Sequence, residues 1–132
     1  MADVNFELVT PEALLFSGPA DMVVVPGGEG DFGVLPGHAP LMSTVRPGFV
    51  EIHKGNSVER VFVAGGFADV NPAGLTLLAD EALKPEDVNA AVFDRLVAAA
   101  EKDVERAPGE VEASNARQRV ADLQQIRAQL HV

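Results

Sequence analysis

Between Pro26 and Leu41 the chain places five glycines and three prolines within sixteen residues. Proline fixes φ near about −65°, and glycine alone takes positive φ freely. The run is therefore neither a helix nor one long regular strand. It reads as a sharply turned connection between the apolar segments on either side. It also carries Glu29, Asp31 and His38, one of the three histidines of the chain.

The same run contains two motif matches that fail on context. Gly28-Glu29-Gly30-Asp31-Phe32-Gly33 fits G-x-G-x-x-G. That fingerprint needs a following helix N-terminus to receive a pyrophosphate. Val34-Leu35-Pro36-Gly37 cannot open a helix, and Glu29 and Asp31 would repel the phosphate. Asp31-Phe32-Gly33 spells the kinase metal triplet, but the chain has no His-Arg-Asp loop and is too short for a kinase. With no G-x-x-x-x-G-K-[ST] loop either, no nucleotide-binding residue is assigned.

At 132 residues the chain holds one domain, or a small domain with an appendage. Cysteine is absent, so no disulfide supports the fold, as suits a reducing compartment. No stretch approaches about twenty apolar residues, so no membrane span is expected. Met1-Ala2-Asp3 lacks the basic-then-apolar pattern of a secretory leader. The net charge of −10 opposes binding to nucleic-acid backbones. The charge is uneven. Residues 1–85 hold eleven acids and four bases, residues 86–112 eight and three, and residues 113–132 one and three. The terminal segment alone is basic. Such asymmetry serves either to solvate a helix face or to attract an acidic partner.

The first eighty or so residues read as short strands with a break about every ten residues, the pattern of a sandwich or barrel. Phe6 and Leu8 alternate with Glu7 and Val9. Met22-Val23-Val24-Val25 is β-branched. Further strands are expected around Phe49–Ile52, Val58–Val63 and Leu75–Ala79. Turns are expected at Ser17-Gly18-Pro19, Arg46-Pro47-Gly48, Lys54-Gly55-Asn56 and Asn71-Pro72-Ala73-Gly74. Gly65-Gly66 signals a bulge or a close backbone approach. At Lys84-Pro85-Glu86-Asp87 the pattern changes, with proline and acids suited to a helix start. Val88, Ala91, Val92, Leu96, Ala99, Ala100 and Val104 recur at helical spacing until Ala107-Pro108-Gly109. A second helix begins near Glu110, with the stripe Ala116, Val120, Leu123, Ile126 and Leu130. The short link predicts an antiparallel hairpin. Its seam is thin and alanine-rich, so it is expected to dock weakly and detach readily. The expected division is a β-sandwich over residues 1–84 and a helical hairpin over 85–132.

No catalytic constellation emerges. His38, His53 and His131 lack metal-ligand spacing, so no metal site is expected. Ser17, Ser43, Ser57 and Ser114 sit in no nucleophile elbow. No cofactor is expected, and a non-enzymatic binding or structural module fits better than an enzyme. Two alternatives stay open. One is a small β-sandwich hydrolase or ligand-binding module using Asp31 and His38. The other is an interaction module with a coiled-coil tail, against which stands the lack of sustained heptads.

The run Gly28-Glu29-Gly30-Asp31-Phe32-Gly33-Val34-Leu35-Pro36-Gly37-His38-Ala39-Pro40-Leu41 resembles the signature of the epsilon subunit of bacterial ATP synthase. Phe16-Ser17-Gly18, Arg46-Pro47-Gly48, Val63-Ala64-Gly65-Gly66-Phe67 and Leu77-Leu78-Ala79-Asp80 resemble the same family in the same order. The likeness spans nearly the whole chain. It implies a ten-stranded β-sandwich followed by a two-helix hairpin. It also implies a non-catalytic rotor subunit bridging the gamma subunit to the membrane-embedded c-ring, peripheral to the cytoplasmic face of the bacterial inner membrane and not inserted in it. By this resemblance Glu29, Gly30, Asp31 and Phe32 face the c-ring, and His38 and Ser43 meet the gamma subunit. For Glu29 and Asp31 the competing reading is a plainly solvated turn, and for His38 a buried, hydrogen-bonded turn residue. In family members the hairpin can leave the sandwich, reach the catalytic alpha/beta head and inhibit hydrolysis. Arg117, Arg119 and Arg127 are the residues here that would meet an acidic catalytic loop.

One departure bears on nucleotide sensing. Some family members bind ATP through Ile/Leu-Asp-x-x-Arg-Ala on the hairpin. The corresponding region here is Glu86-Asp87-Val88-Asn89-Ala90-Ala91, without an arginine three after Asp87, and Asp94-Arg95 does not restore the spacing. No ATP sensing is expected.

Overall fold

A computed structural model describes residues 3–132. Met1 and Ala2, on which the leader reading partly falls, lie outside the described residues. The chain separates into two compact units between Pro85 and Glu86.

The first unit is all β: β1 (Val4–Val9), β2 (Leu14–Ala20), β3 (Met22–Gly27), β4 (Gly30–Val34), β5 (Leu41–Val45), β6 (Gly48–Lys54), β7 (Ser57–Val63), β8 (Gly66–Asn71), β9 (Gly74–Ala79) and β10 (Ala82–Leu83). They form one curled sheet in the order β10-β7-β6-β3-β5-β8-β9-β1-β2, with β4 added on β3. Every pairing is antiparallel except β1 with β9. Curling brings β1 over β3 and β2 over β6, which makes the sheet a sandwich. Alternation fills its interior. Val4, Phe6 and Leu8 point inward from β1, Val50 and Ile52 from β6, and Leu75, Leu77 and Ala79 from β9. Phe6 is sealed from solvent, and its ring lies 5.5 Å from that of Phe16.

The expected turns at Lys54-Gly55-Asn56 and Asn71-Pro72-Ala73-Gly74 are present. Gly55 supplies a φ of 59° in the first. In the second, the Asn71 side-chain oxygen accepts from the amides of Ala73 and Gly74 at 2.9 and 3.0 Å. Gly66 opens β8 where a Cβ would strike the Leu78 carbonyl, so the close backbone approach is real and no bulge is needed. Ser17-Gly18-Pro19, by contrast, is not a turn. It lies inside β2, paired with Glu7, Phe6 and Asn5. That strand forms one end of the sheet order, where proline loses no essential ladder bond.

The second unit is a helical hairpin. A short 3₁₀ turn, Pro85–Asp87, precedes α1 (Ala90–Arg106), and α2 (Glu110–Leu130) follows a three-residue link. Pro85 therefore opens the turn and not the helix. The cap is Asn89, whose side-chain oxygen accepts from the Val92 amide at 3.0 Å. The helices are antiparallel, as Asp94 near the start of α1 pairs with Arg127 near the end of α2. Phe93, Ala100 and Leu123 are their fully buried residues. Phe93 was absent from the expected stripe, while Ala91 and Ala99, which were in it, are exposed. The α2 stripe stands as expected, with Leu123 at its centre.

Candidate functional site: the hairpin tip and the basic helix

The glycine- and proline-rich run is less of a loop than its composition implies. β3 and β4 pair from Val23 with Val34 to Gly27 with Gly30, leaving Gly28 and Glu29 as the turn. The β-branched Val23, Val24 and Val25 supply one strand, and Gly30–Val34 forms a ladder on it despite two glycines. Irregular backbone returns only between Leu35 and Pro40.

The tip is tied to its neighbours. The Gly28 amide donates to the Thr44 carbonyl at 2.9 Å. A Cβ on Gly28 would collide with Thr44 Oγ1, so a larger residue there requires the Thr44 side chain to move. Arg46, in the link between β5 and β6, makes three contacts. Its backbone amide donates to Pro26 at 2.9 Å, and its Nε donates to the Gly27 carbonyl at 3.0 Å. Its Nη2 pairs with the Asp31 carboxylate. Phe32 packs against the sandwich core, half-buried. Glu29 is exposed at the turn and has no hydrogen bond or ion pair among the described residues. Glu29, Gly30, Asp31 and Phe32 are thus gathered on one hairpin, but differ in exposure and partners.

His38 and Ser43 lie on the segment that follows. The His38 amide donates to Leu35 at 3.1 Å. Its Nδ1 is 2.6 Å from the Ala39 carbonyl, which can only accept and so fixes the proton on Nδ1. Ser43 Oγ donates to the Thr44 carbonyl at 2.8 Å. Exposed Leu35, Leu41 and Met42 lie beside them in sequence, with Met42 66 % exposed. Among the described residues no hydrogen bond joins Asp31 to His38. The acid–histidine pair that a hydrolytic reading needs is engaged elsewhere on both sides.

The three arginines of α2 differ. Arg117 Nη2 lies 2.6 Å from Glu110 Oε1 on the same helix. Arg127 Nη1 lies 2.7 Å from Asp94 Oδ1, and its Nε donates to the Val132 carbonyl at 3.1 Å. Arg119 lines a groove of about 390 Å³ with Asp103, Arg106, Pro108 and Glu112. The basic segment is therefore partly neutralised within its own hairpin. Among the described residues no helix is long and apolar enough to cross a membrane, and no group of three or more His, Asp or Glu could hold a metal ion.

Sequence reasoning passed over Arg46 as one letter of a turn. A basic residue beside the Pro-Gly link could have been flagged, but its partners are fifteen and nineteen residues away and follow only from strand register.

Comparison with known proteins closes the question of kinship. Residues 3–85 match the family model described as the ATP synthase, Delta/Epsilon chain, beta-sandwich domain. The ATP synthase epsilon chain of Parvibaculum lavamentivorans is 49% identical over 125 residues, covering 94% of this chain and 95% of that one. That of Maricaulis maris is 46% identical over 129 residues, 97% of each chain. The fold recurs at 22% identity in a chain of the Euglena gracilis mitochondrial ATP synthase, with a TM-score of 0.71 over 99% of this chain and 83% of that one. It recurs at 12% identity in the central stalk and c-ring structure from Tetrahymena thermophila, with a TM-score of 0.63 over 93% and 95%. A sandwich that matches one family model, and relatives that align through the helices as well, have a single reading: the chain belongs to the delta/epsilon family of ATP synthase, among its epsilon chains.

Proposed function

We propose that this chain is a non-catalytic rotor subunit that couples the gamma subunit to the c-ring, so that proton flow drives ATP synthesis through it. The observation that carries the reading is the near full-length match to epsilon chains. The β3–β4 tip, with Glu29, Gly30, Asp31 and Phe32, meets the c-ring. The segment holding His38 and Ser43 meets the gamma subunit. Exposed Leu35, Leu41 and Met42 supply apolar area there, and the side chains of His38 and Ser43 are closed on local backbone without a catalytic partner. The protein sits peripherally at the cytoplasmic face of the inner membrane, with no cofactor.

The hairpin is the regulatory part. It restrains ATP hydrolysis when α2 reaches the alpha/beta head and Arg117, Arg119 and Arg127 meet acidic groups. Arg127 must first give up Asp94, so the inhibitory contact and the hairpin's own ion pair compete for one guanidinium.

Co-purification with isolated gamma subunit tests the first part. Stoichiometric capture is expected, and its absence would refute the coupling role. Removing residues 86–132 should leave ATP-driven proton pumping intact and raise hydrolysis. Pumping lost on that truncation would contradict a coupling role confined to the sandwich.

A further inference from the structure

The tip holds two carboxylates that the sequence presents as equivalent, and the structure separates them. Asp31 is paired with Arg46, whereas Glu29, on the turn itself, has no partner among the described residues. Arg46 does more than neutralise. It comes from the β5–β6 link and reaches both strands of the hairpin, through the Gly27 carbonyl on β3 and the Asp31 carboxylate on β4. A guanidinium can serve both acceptors because its donors fan out within one plane, and a lysine ammonium lacks that fork.

We infer that Arg46 is a positioning residue for the rotor contact: it locks the tip in one shape and takes up the charge of Asp31, so that Glu29 is the carboxylate offered to a cationic group on the c-ring loops. The inference rests on the coupling role proposed above. The geometry supports it in three ways. The tip bonds run to both Thr44 at the end of β5 and Arg46 in the link that follows it. The base of the tip is buried at Pro26 and Gly27, so the Arg46 Nε bond forms where water competes less. The Arg46 backbone amide holds Pro26 whatever side chain follows it, so variants at this position keep the strand link and should fold.

The test has two arms. In the isolated full chain, amide hydrogen exchange is followed at Gly28, whose amide donates to Thr44. Arg46→Ala should speed its exchange about tenfold, with β6 and β7 unchanged. Arg46→Lys should give an intermediate rate. In complete ATP synthase depleted of its epsilon chain and reconstituted in vesicles, Arg46→Ala should lower protons pumped per ATP hydrolysed by roughly twofold or more, with the hydrolysis rate kept. Asp31→Asn added to Arg46→Ala should cost nothing further, because the two act as one unit. Glu29→Gln added to Arg46→Ala should lower pumping again and flatten its dependence on salt. Unchanged exchange at Gly28 would overturn the brace. Full pumping by Arg46→Ala, or additive losses from Asp31→Asn, would overturn the positioning role. If even the wild-type chain fails to restore pumping, it is the coupling role that falls, and the exchange arm alone decides on the brace.

Discussion

The two units of this chain bury apolar surface by different means. In the sandwich, sixteen core residues drawn from nine strands meet in one interior, most of them sealed from solvent. In the hairpin, only Phe93, Ala100 and Leu123 are fully buried across both helices. Each fully buried Leu or Phe contributes about 1.5–3 kcal/mol, so the sandwich has a large reserve and the hairpin a small one. The hairpin supplements its seam with polar contacts at its ends: the Asn89 cap, the Arg127–Asp94 pair and the Arg117–Glu110 pair. Such contacts are individually weak and salt-sensitive. The contrast suits the coupling and regulatory roles proposed for the two units.

The largest expected effect falls on the sandwich. Phe6→Ala should destabilise the first unit by about 3–5 kcal/mol, read from the midpoint of urea unfolding. A loss under about 1 kcal/mol would mean that the core around Phe16 collapses into the gap and is softer than its packing implies. Leu123→Ala comes next. It should remove about 2–4 kcal/mol from the hairpin and lower the helical signal, while amide protection in β1, β8 and β9 stays as it was. Loss of both together would abolish the contrast between the units. Gly66→Ala should cost about 2 kcal/mol or more, since its Cβ would meet the Leu78 carbonyl and the φ of 154° disfavours a side chain. An unchanged melting temperature would show that β8 and β9 can spread at that point.

Asn89→Ala should cost about 1 kcal/mol, confined to the first turn of α1 and read by exchange of the Val92 amide. No change there would return the helix start to Pro85. The smallest effect is expected from Arg127→Ala. Its partner is 69 % exposed, so the pair contributes no more than about 1 kcal/mol, and the loss should fade in high salt. A larger, salt-independent loss would reveal a hairpin fastened at its open end, and would sharpen the competition proposed for that arginine.

The regular strands were legible because alternation at Phe6/Leu8 and Leu75/Leu77 reports directly on a two-faced sheet. The helices were legible in type and in their break at Ala107-Pro108-Gly109. What escaped was decided at a distance. Pro19 looked like a turn because its place at the edge of the sheet is a property of β1 alongside it. Gly30–Val34 looked like loop because two glycines conceal a strand that β3 enforces. Pro85 looked like a helix start because the signal for N1 does not exclude a 3₁₀ turn, and Asn89 was the stronger cap. Phe93 fell outside the expected stripe although it is sealed from solvent. At the tip, Glu29 and Asp31 were both visible. Their difference in partners was not, because it depends on an arginine brought across by the pairing of Gly27 with Val45.

The parallel pairing of β1 with β9 has a consequence for how the protein is made. Asn5 faces Gly74 and Leu8 faces Leu77, so the first strand of the unit waits for almost its last. Until then Phe6 and Leu8 have only the β2 ribbon beside them. Such distant pairing slows closure, whereas α1 and α2 need only each other's neighbouring sequence. The helices close on each other locally, whereas one side of β1 stays unpaired until β9 has been synthesised. During that interval the exposed β1–β2 ribbon is the segment most open to wrong pairing with another nascent chain.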